Sequence, residues 1–225
     1  TLGNTPLENG VLEITQASQS FTFTGVKAHP VLSINRGFSA PVNIESNLTP
    51  TERAFLAAQD AEPFNRFDAL QGLAMSVLKA GALKGEALET ESFITAARLL
   101  LKSPELDPAF KAQALALPGE GEVARELGQD VDPDAIHAAR LALRRALGSA
   151  LEEDFLETYT ALAAHGSFKP DADSAGRRAL RNLSLDYLAA NGEHEDIARA
   201  VAQFNVADNM TDRFAALQLL VHRYP

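Results

Sequence analysis

LTPTERAFLAAQD, residues Leu48 to Asp60, writes out a helix start in full. Thr49 stands at the N-cap, Pro50 at the first helical position and Glu52 at the third. The hydroxyl can accept a first-turn amide, and the carboxylate can reach back to the amide of the cap. Behind this start the apolar residues recur at helical spacing, which they do not do before Leu48. The signal repeats downstream. Asp107 and Pro108 open DPAFKAQALAL, and Asp132 and Pro133 open DPDAIHAARLALRRALGSAL. Asn209, with Asp212 three residues on, marks a further cap in DNMTDRFAAL. Other helices are expected over Pro63 to Lys79, Thr90 to Lys102, Glu152 to His165, Asp173 to Ala190, Glu193 to Phe204 and Thr211 to Arg223. In the helix that begins at Asp132, the expected split sets Leu141, Ala142, Arg145 and Leu151 against Ala138, Arg140 and Arg144.

Upstream, the pattern is that of strands. GVLEIT (Gly10 to Thr15), QSFTFTG (Gln19 to Gly25), PVLSIN (Pro30 to Asn35) and PVNIE (Pro41 to Glu45) are short and rich in β-branched and aromatic residues. The first two, separated by a polar QAS, suit a hairpin. Four such strands are few for an independent domain. The expected fold is mainly α with a small β part. Residues 1–46 read as an incomplete β-sandwich domain, and residues 47–225 as the first part of a helical domain. Short connections between many helices of similar length suggest a superhelical stack of the HEAT or armadillo kind.

The chain has 225 residues, 46% of them hydrophobic, and a formal charge of -10. That charge has the wrong sign for a surface that must hold phosphate backbones or anionic lipid, so neither nucleic acid nor membrane is an expected partner. With no cysteine, a disulfide framework, a thiolate metal site and a cysteine nucleophile are all excluded. TLGNTPLENG has neither an initiator methionine nor the regions of a signal peptide, and LQLLVHRYP stops on an amphipathic pattern. The chain is therefore expected to be a segment of a longer, cytoplasmic protein, and to expose apolar surface where the rest would sit.

EHEDIARA, from Glu193 to Ala200, invites comparison with the zinc-peptidase helix H-E-x-x-H, but the fifth position is Ala198. The histidines, His29, His137, His165, His194 and His222, never fall three or four residues apart, so no helix turn offers two imidazoles to a metal. His194 and Glu195 read as a solvated helix start. The acidic runs LEEDFLE and GEGEVARE read as solvated faces. The basic clusters Arg144–Arg145 and Arg177, Arg178, Arg181 read as salt-bridge partners of the abundant acids, with an anchor for a peptide carboxylate as the functional alternative. In FNRFDALQGLA, Arg66 and Asp68 lie in an apolar helix, and one of them is expected to tie it to a neighbour. No catalytic, cofactor-binding or metal-binding residue emerges.

Six stretches, RGFSAPV, FNRFDALQ, LDPAFKAQALALP, DPDAIHAARLALRRAL, RRALRNLSLDYL and NMTDRFAAL, resemble in order the C-terminal half of the bacterial alanyl aminopeptidase (aminopeptidase N) family. The resemblance implies a parent that is a zinc metallo-aminopeptidase removing N-terminal residues from peptides. Its substrate-amine loop, zinc ligands and catalytic tyrosine belong to a catalytic domain whose motifs do not occur here. This chain would hold no zinc itself. It would serve as spacer sandwich and helical wall around the active-site chamber, with the catalytic and later helical domains as partners and peptides as substrates of the whole enzyme only. The alternative, of a different class, is a free-standing helical-repeat module that binds a protein partner.

Overall fold

The computed structural model of the chain describes residues 11–42, 44–84, 88–163, 168–192 and 194–223. It divides into two compact units, Thr1–Leu32 and Ser33–Pro225. In the first, the described backbone is extended and bent, with a one-residue β-bridge at Phe23. The Gln19 side-chain oxygen accepts the Thr15 N–H at 3.0 Å, and Val11, Ile14, Phe23 and Val26 are exposed. The four expected strands form no ladder among the described residues; Gly10 and Asn43 lie outside them. β-Prone sequence becomes a strand only where another strand satisfies its amides and something covers its apolar face, and these exposed side chains have no such cover.

The second unit is helical. Its described helices are α1 (Pro50–Gln59), α2 (Pro63–Lys84), α3 (Glu91–Lys102), α4 (Pro108–Leu115), α5 (Glu120–Leu127), α6 (Pro133–Ala150), α7 (Glu152–Ala161), α8 (Ala172–Leu188), α9 (His194–Val206) and α10 (Met210–Arg223). Short 3-10 turns lie at Arg36–Phe38 and Ala189–Asn191.

Their starts follow the local chemistry. Thr49 Oγ1 accepts the Glu52 N–H at 3.2 Å, and Glu52 Oε2 accepts the Thr49 N–H at 2.8 Å. Asp107 Oδ1 takes the Phe110 N–H at 2.9 Å; Asp132 Oδ1 takes those of Asp134 and Ala135 at 3.0 and 3.2 Å. Asn209 Oδ1 accepts from the Asp212 N–H, and Asp212 Oδ2 accepts from the Asn209 side-chain amide, both at 2.9 Å. Each such cap stabilises its helix by about 1 kcal/mol.

Several boundaries differ from expectation. Helix α2 continues to Lys84, through Gly81, where the missing side chain lets α6 come close: a Cβ there would lie 3.1 Å from the Ala139 Cβ. Helix α5 lies in the acidic run that was expected to be only a solvated face, where two glycines mask the helical signal. Gly119 has no side chain to complete a box, but Glu122 Oε2 accepts its N–H at 2.7 Å. Helix α7 ends at Ala161; His165, to which it was expected to run, lies outside the described residues, as does Glu193, the expected start of α9.

Packing is between pairs: α1 on α2, α7 on α8 and α9 on α10, with longer-range contacts of α1 on α3, α2 on α6 and α4 on α8. The core holds Leu70, Leu78, Phe93, Leu100, Leu115, Leu143, Leu147, Phe155, Leu185 and Tyr187, all fully buried. The buried stripe of α6 is Ile136, Ala139, Leu143 and Leu147, spaced three, four and four, which corrects the expected split of that helix. Ala142 is exposed, and Arg144 is buried beside the stripe because its guanidinium finds partners on α8.

Gly148 marks the tightest crossing. A Cβ there would collide with the Tyr187 carbonyl oxygen and lie 3.3 Å from the Ala190 Cβ. Gly148→Ala would regain about 1 kcal/mol of helix propensity. It would also force backbone apart, at a cost of about 1–3 kcal/mol. A net loss of stability is expected, read as a lower urea midpoint.

Candidate functional site

The buried polar groups of the helical unit gather at helix ends. The last carbonyls of a helix lack intrahelical partners, and an end that is buried must find donors elsewhere. Here the donors come from other helices. Arg66, 5% exposed, gives Nε to the Ala57 carbonyl at 3.1 Å and Nη2 to the Ala58 carbonyl at 2.9 Å, closing the end of α1. Gln71 Nε2 donates to the Ala114 and Ala116 carbonyls, both at 2.9 Å, and Tyr187 Oη donates to the Leu115 carbonyl between them at 2.6 Å. The end of α4 is thus held by α2 and α8 together.

The pattern continues along the stack. Arg98 donates to the Ala150 carbonyl at the end of α6, Arg177 to Ala161 at the end of α7 and Arg213 to Ala207 just past α9. Arg144 bonds both the carbonyl and the carboxylate of Asp186 in the last turn of α8. A guanidinium suits this work: it is always charged, forked, and favoured by the negative end of the helix dipole.

The two basic clusters therefore match the expected acid partners only in part. Arg144 does meet an acid, while Arg145 is exposed. Arg178 donates to the Lys169 carbonyl at 2.9 Å and lies 4.7 Å over the Phe168 ring. Arg181 donates to Tyr159 Oη at 3.0 Å and lies over that ring at 4.3 Å. Carbonyls and rings, more than carboxylates, occupy these cations. Sequence spacing could not show this, because the acceptor is a backbone group set by the fold.

Of the pair in α2, Arg66 is the tie and Asp68 is exposed on the other side. Arg66 Nη1 also reaches Glu105 Oε1 at 3.0 Å, and Ser103 Oγ–H donates to the same carboxylate oxygen. The Ser103 hydroxyl first, then the backbone amide of Glu105, then Arg66, hold the Glu105 carboxyl down to about 2 from its ordinary 4.5. A depressed carboxyl pKa favours the folded state above the unfolded value. That contribution is whole above about 4.5 and is lost as pH falls through about 2. Glu105 is exposed, so the effect is small. Glu105→Gln is expected to melt slightly below the parent chain at pH 7 and to converge on it as pH falls through about 2.

A second polar junction joins α8, α9 and α10. Gln203 Nε2 donates to Asn182 Oδ1 at 2.7 Å and to the Asp212 carbonyl at 3.0 Å, and Asn182 donates to Asp212 Oδ1 at 2.9 Å. Gln203 and Asp212 are both buried. Asp212, whose N–H is capped by Asn209, thus ties the start of α10 to α8. Elsewhere, His194 opens α9, and Glu195 and Asp196 both face Arg199 within the same helix. Among the described residues, no group of three or more His, Asp or Glu stands where it could hold a metal ion. None of the described helices is long and apolar enough to cross a membrane.

The helical unit is of the armadillo-repeat kind by its family match. Residues 50–224 match the family described as a domain of unknown function (DUF3458_C), ARM repeats, and the chain belongs to that family. Residues 2–47 match a companion domain of unknown function (DUF3458) with an Ig-like fold. The chain is 36% identical over 212 residues to aminopeptidase N of Caulobacter vibrioides, covering 94% of this chain and 24% of the relative. It is 35% identical over 217 residues to aminopeptidase N of Escherichia coli, covering 95% and 25%. With aminopeptidase N of Haemophilus influenzae the identity is 31% over 220 residues, 96% of this chain and 25% of the relative. The chain spans about a quarter of the length of these relatives and corresponds to a C-terminal part of them. A crystal structure of Legionella pneumophila aminopeptidase A in complex with aspartic acid shares the fold, with a TM-score of 0.76 at 23% identity over 88% of this chain and 24% of that one. The resemblance drawn from the six sequence stretches is borne out by these relatives.

Proposed function

We propose that this chain is a non-catalytic C-terminal part of a peptide-cleaving aminopeptidase, a helical wall beside the active-site chamber with residues 1–46 as part of a β-sandwich spacer. The observation that carries the reading is similarity to aminopeptidase N over some 95% of this chain but only a quarter of each relative. The Ig-like description of residues 2–47 supports the sandwich. The cross-tied helix ends suit a rigid wall, since each helix is fixed to others at its terminus as well as along its face. The free-standing adaptor is the weaker reading, because it leaves the shared length with these enzymes without an explanation.

The histidine spacing offers zinc no pair of imidazoles one helix turn apart, and among the described residues no acid-and-histidine cluster stands together. The metal of the parent enzyme would be held by its catalytic domain. Peptides would be substrates of the whole enzyme, and the catalytic and later helical domains the partners of this one. The outer face of α10 supports such a partner: Met210, Phe214, Leu217 and Val221 are exposed at spacings of four, three and four. A cytoplasmic location completes the reading.

The test has two arms. The purified chain is expected to leave an alanyl chromogenic amide intact, and chelator-sensitive turnover would overturn the non-catalytic role. In the full-length enzyme, deleting the helices of this segment is expected to weaken discrimination between short peptides and folded proteins. Unchanged discrimination would remove the wall role while leaving the family assignment standing.

A further inference from the structure

Between Ser33 and Val42 the chain runs over the turn that joins α1 to α2, and its backbone there is unusual. Asn35 and Phe38 have φ of 54° and 53°, and Gly37 has φ of 64°. Asparagine and glycine adopt the left-handed region readily, but for a bulky residue such as Phe38 it is an outlier that the surroundings must hold. Much of the holding is internal. Asn35 Oδ1 accepts the Ala40 N–H at 2.9 Å and the Ser39 hydroxyl at 3.1 Å, and Asn35 Nδ2 donates to the Ala40 carbonyl at 3.1 Å. The Phe38 N–H closes the turn on the Asn35 carbonyl at 3.0 Å.

The attachment to the helices is of another kind. Arg36 Nη1 donates to Asp60 Oδ1 at 2.9 Å, Asn65 Nδ2 donates to Ser33 Oγ and to the Ile34 carbonyl at 2.9 Å each, and Phe38 meets Phe64 edge-on at 5.3 Å between centroids. All the anchors thus fall within residues 60–65, and among the described residues no backbone-to-backbone bond joins the segment to the helices. Both phenylalanines remain about half exposed, so little apolar area holds the contact. Asp60 is the catch: its side chain is 1% exposed, and Oδ1 also accepts the Glu62 N–H at 2.9 Å, so one oxygen serves segment and turn together. Its other oxygen, Oδ2, is buried with no hydrogen-bond partner, a cost that lifting the segment would relieve.

A piece that is knit internally, strained, and held by a few half-exposed side chains has the marks of a local unfolding unit. We propose that Ser33–Val42 is a latch on the α1–α2 turn, which lets go and opens its own Asn35-centred turn in one cooperative step while the helices stay folded, with the Arg36–Asp60 pair as its catch. Lifting it bares an acidic and aromatic edge made of Asp60, Phe64 and the Asn65 amide.

Amide hydrogen exchange on the full chain tests this. The amides of Phe38 and Ala40 are expected to exchange together, by an opening insensitive to low denaturant, while those of Leu143 and Leu185 follow global unfolding. Arg36→Met is expected to speed Phe38 and Ala40 at least tenfold and equally, with the helix amides unchanged. Asn65→Ala, which cuts the opposite end of the attachment, should do the same. Phe38 and Ala40 exchanging through the global opening, responding separately, or failing to accelerate in both variants would overturn the proposal.

Discussion

Tyr187→Ala is expected to cost about 3–5 kcal/mol, the range for truncating a large buried aromatic. Tyr187 is 1% exposed, its ring is stacked on Phe155 at 4.8 Å with 15° between planes, and its hydroxyl donates to the Leu115 carbonyl at 2.6 Å. The truncation opens a void between α7 and α8 and leaves a carbonyl at the end of α4 without its donor. Tyr187→Phe isolates the second effect and should cost roughly 1–3 kcal/mol. For a chain of this size the alanine variant should melt about 10 °C or more below the parent. A double-mutant cycle with Phe155→Ala should return a coupling of about 0.5–1.5 kcal/mol beyond area burial. Burial, helped by Asp186 nearby, pushes the Tyr187 hydroxyl well above its ordinary 10.0. A raised pKa favours the folded state fully below the unfolded value and progressively less above it. Stability is therefore expected to fall as pH climbs past about 10, and Tyr187→Phe should flatten that decline.

What could be read from the sequence, and what could not, divides by distance along the chain. Thr49 with Glu52, Asp107 with Phe110 and Asn209 with Asp212 are partners three residues apart, so their chemistry is written locally. Asp171, which caps α8 by accepting the Ser174 N–H at 2.8 Å, carried the same signal, though the expected helix began at Asp173. By contrast, Tyr187 and Leu115 are 72 residues apart, and Arg144 and Asp186 are 42 apart. Both depend on which helix lies beside which, and a carbonyl acceptor leaves no trace in residue type. The face of α6 departs from expectation for a related reason: charge ordinarily marks solvent, and only the fold shows that Arg144 ends a neighbouring helix. Strands carry the least local information. The segments before Leu32 have β composition, but pairing is a property of two segments, and the described residues form only the bridge at Phe23.

Arg66→Ala should come close to the tyrosine in effect, for a different reason. The guanidinium does not stand in a simple ion pair: Glu105 is exposed, and solvent screens what that pair contributes. The weight lies in the Ala57 and Ala58 carbonyls, buried at the end of α1 and served by Nε and Nη2 of this one side chain. Removing it leaves both without a donor, at about 1–3 kcal/mol each, so a total loss of roughly 2–5 kcal/mol is expected. Arg66→Lys should recover only part, since one ammonium cannot reproduce the fork that spans both carbonyls and Glu105. Arg66→Met keeps most of the buried stem and none of the donors, and should resemble alanine more than lysine. Glu105→Ala, which cuts the ion pair and the Ser103 hydrogen bond but leaves both helix-end carbonyls served, should cost well under half as much as Arg66→Ala. Urea unfolding of the four variants orders these terms: if Glu105→Ala proved as damaging as Arg66→Ala, the ion pair and not the helix end would be the principal tie.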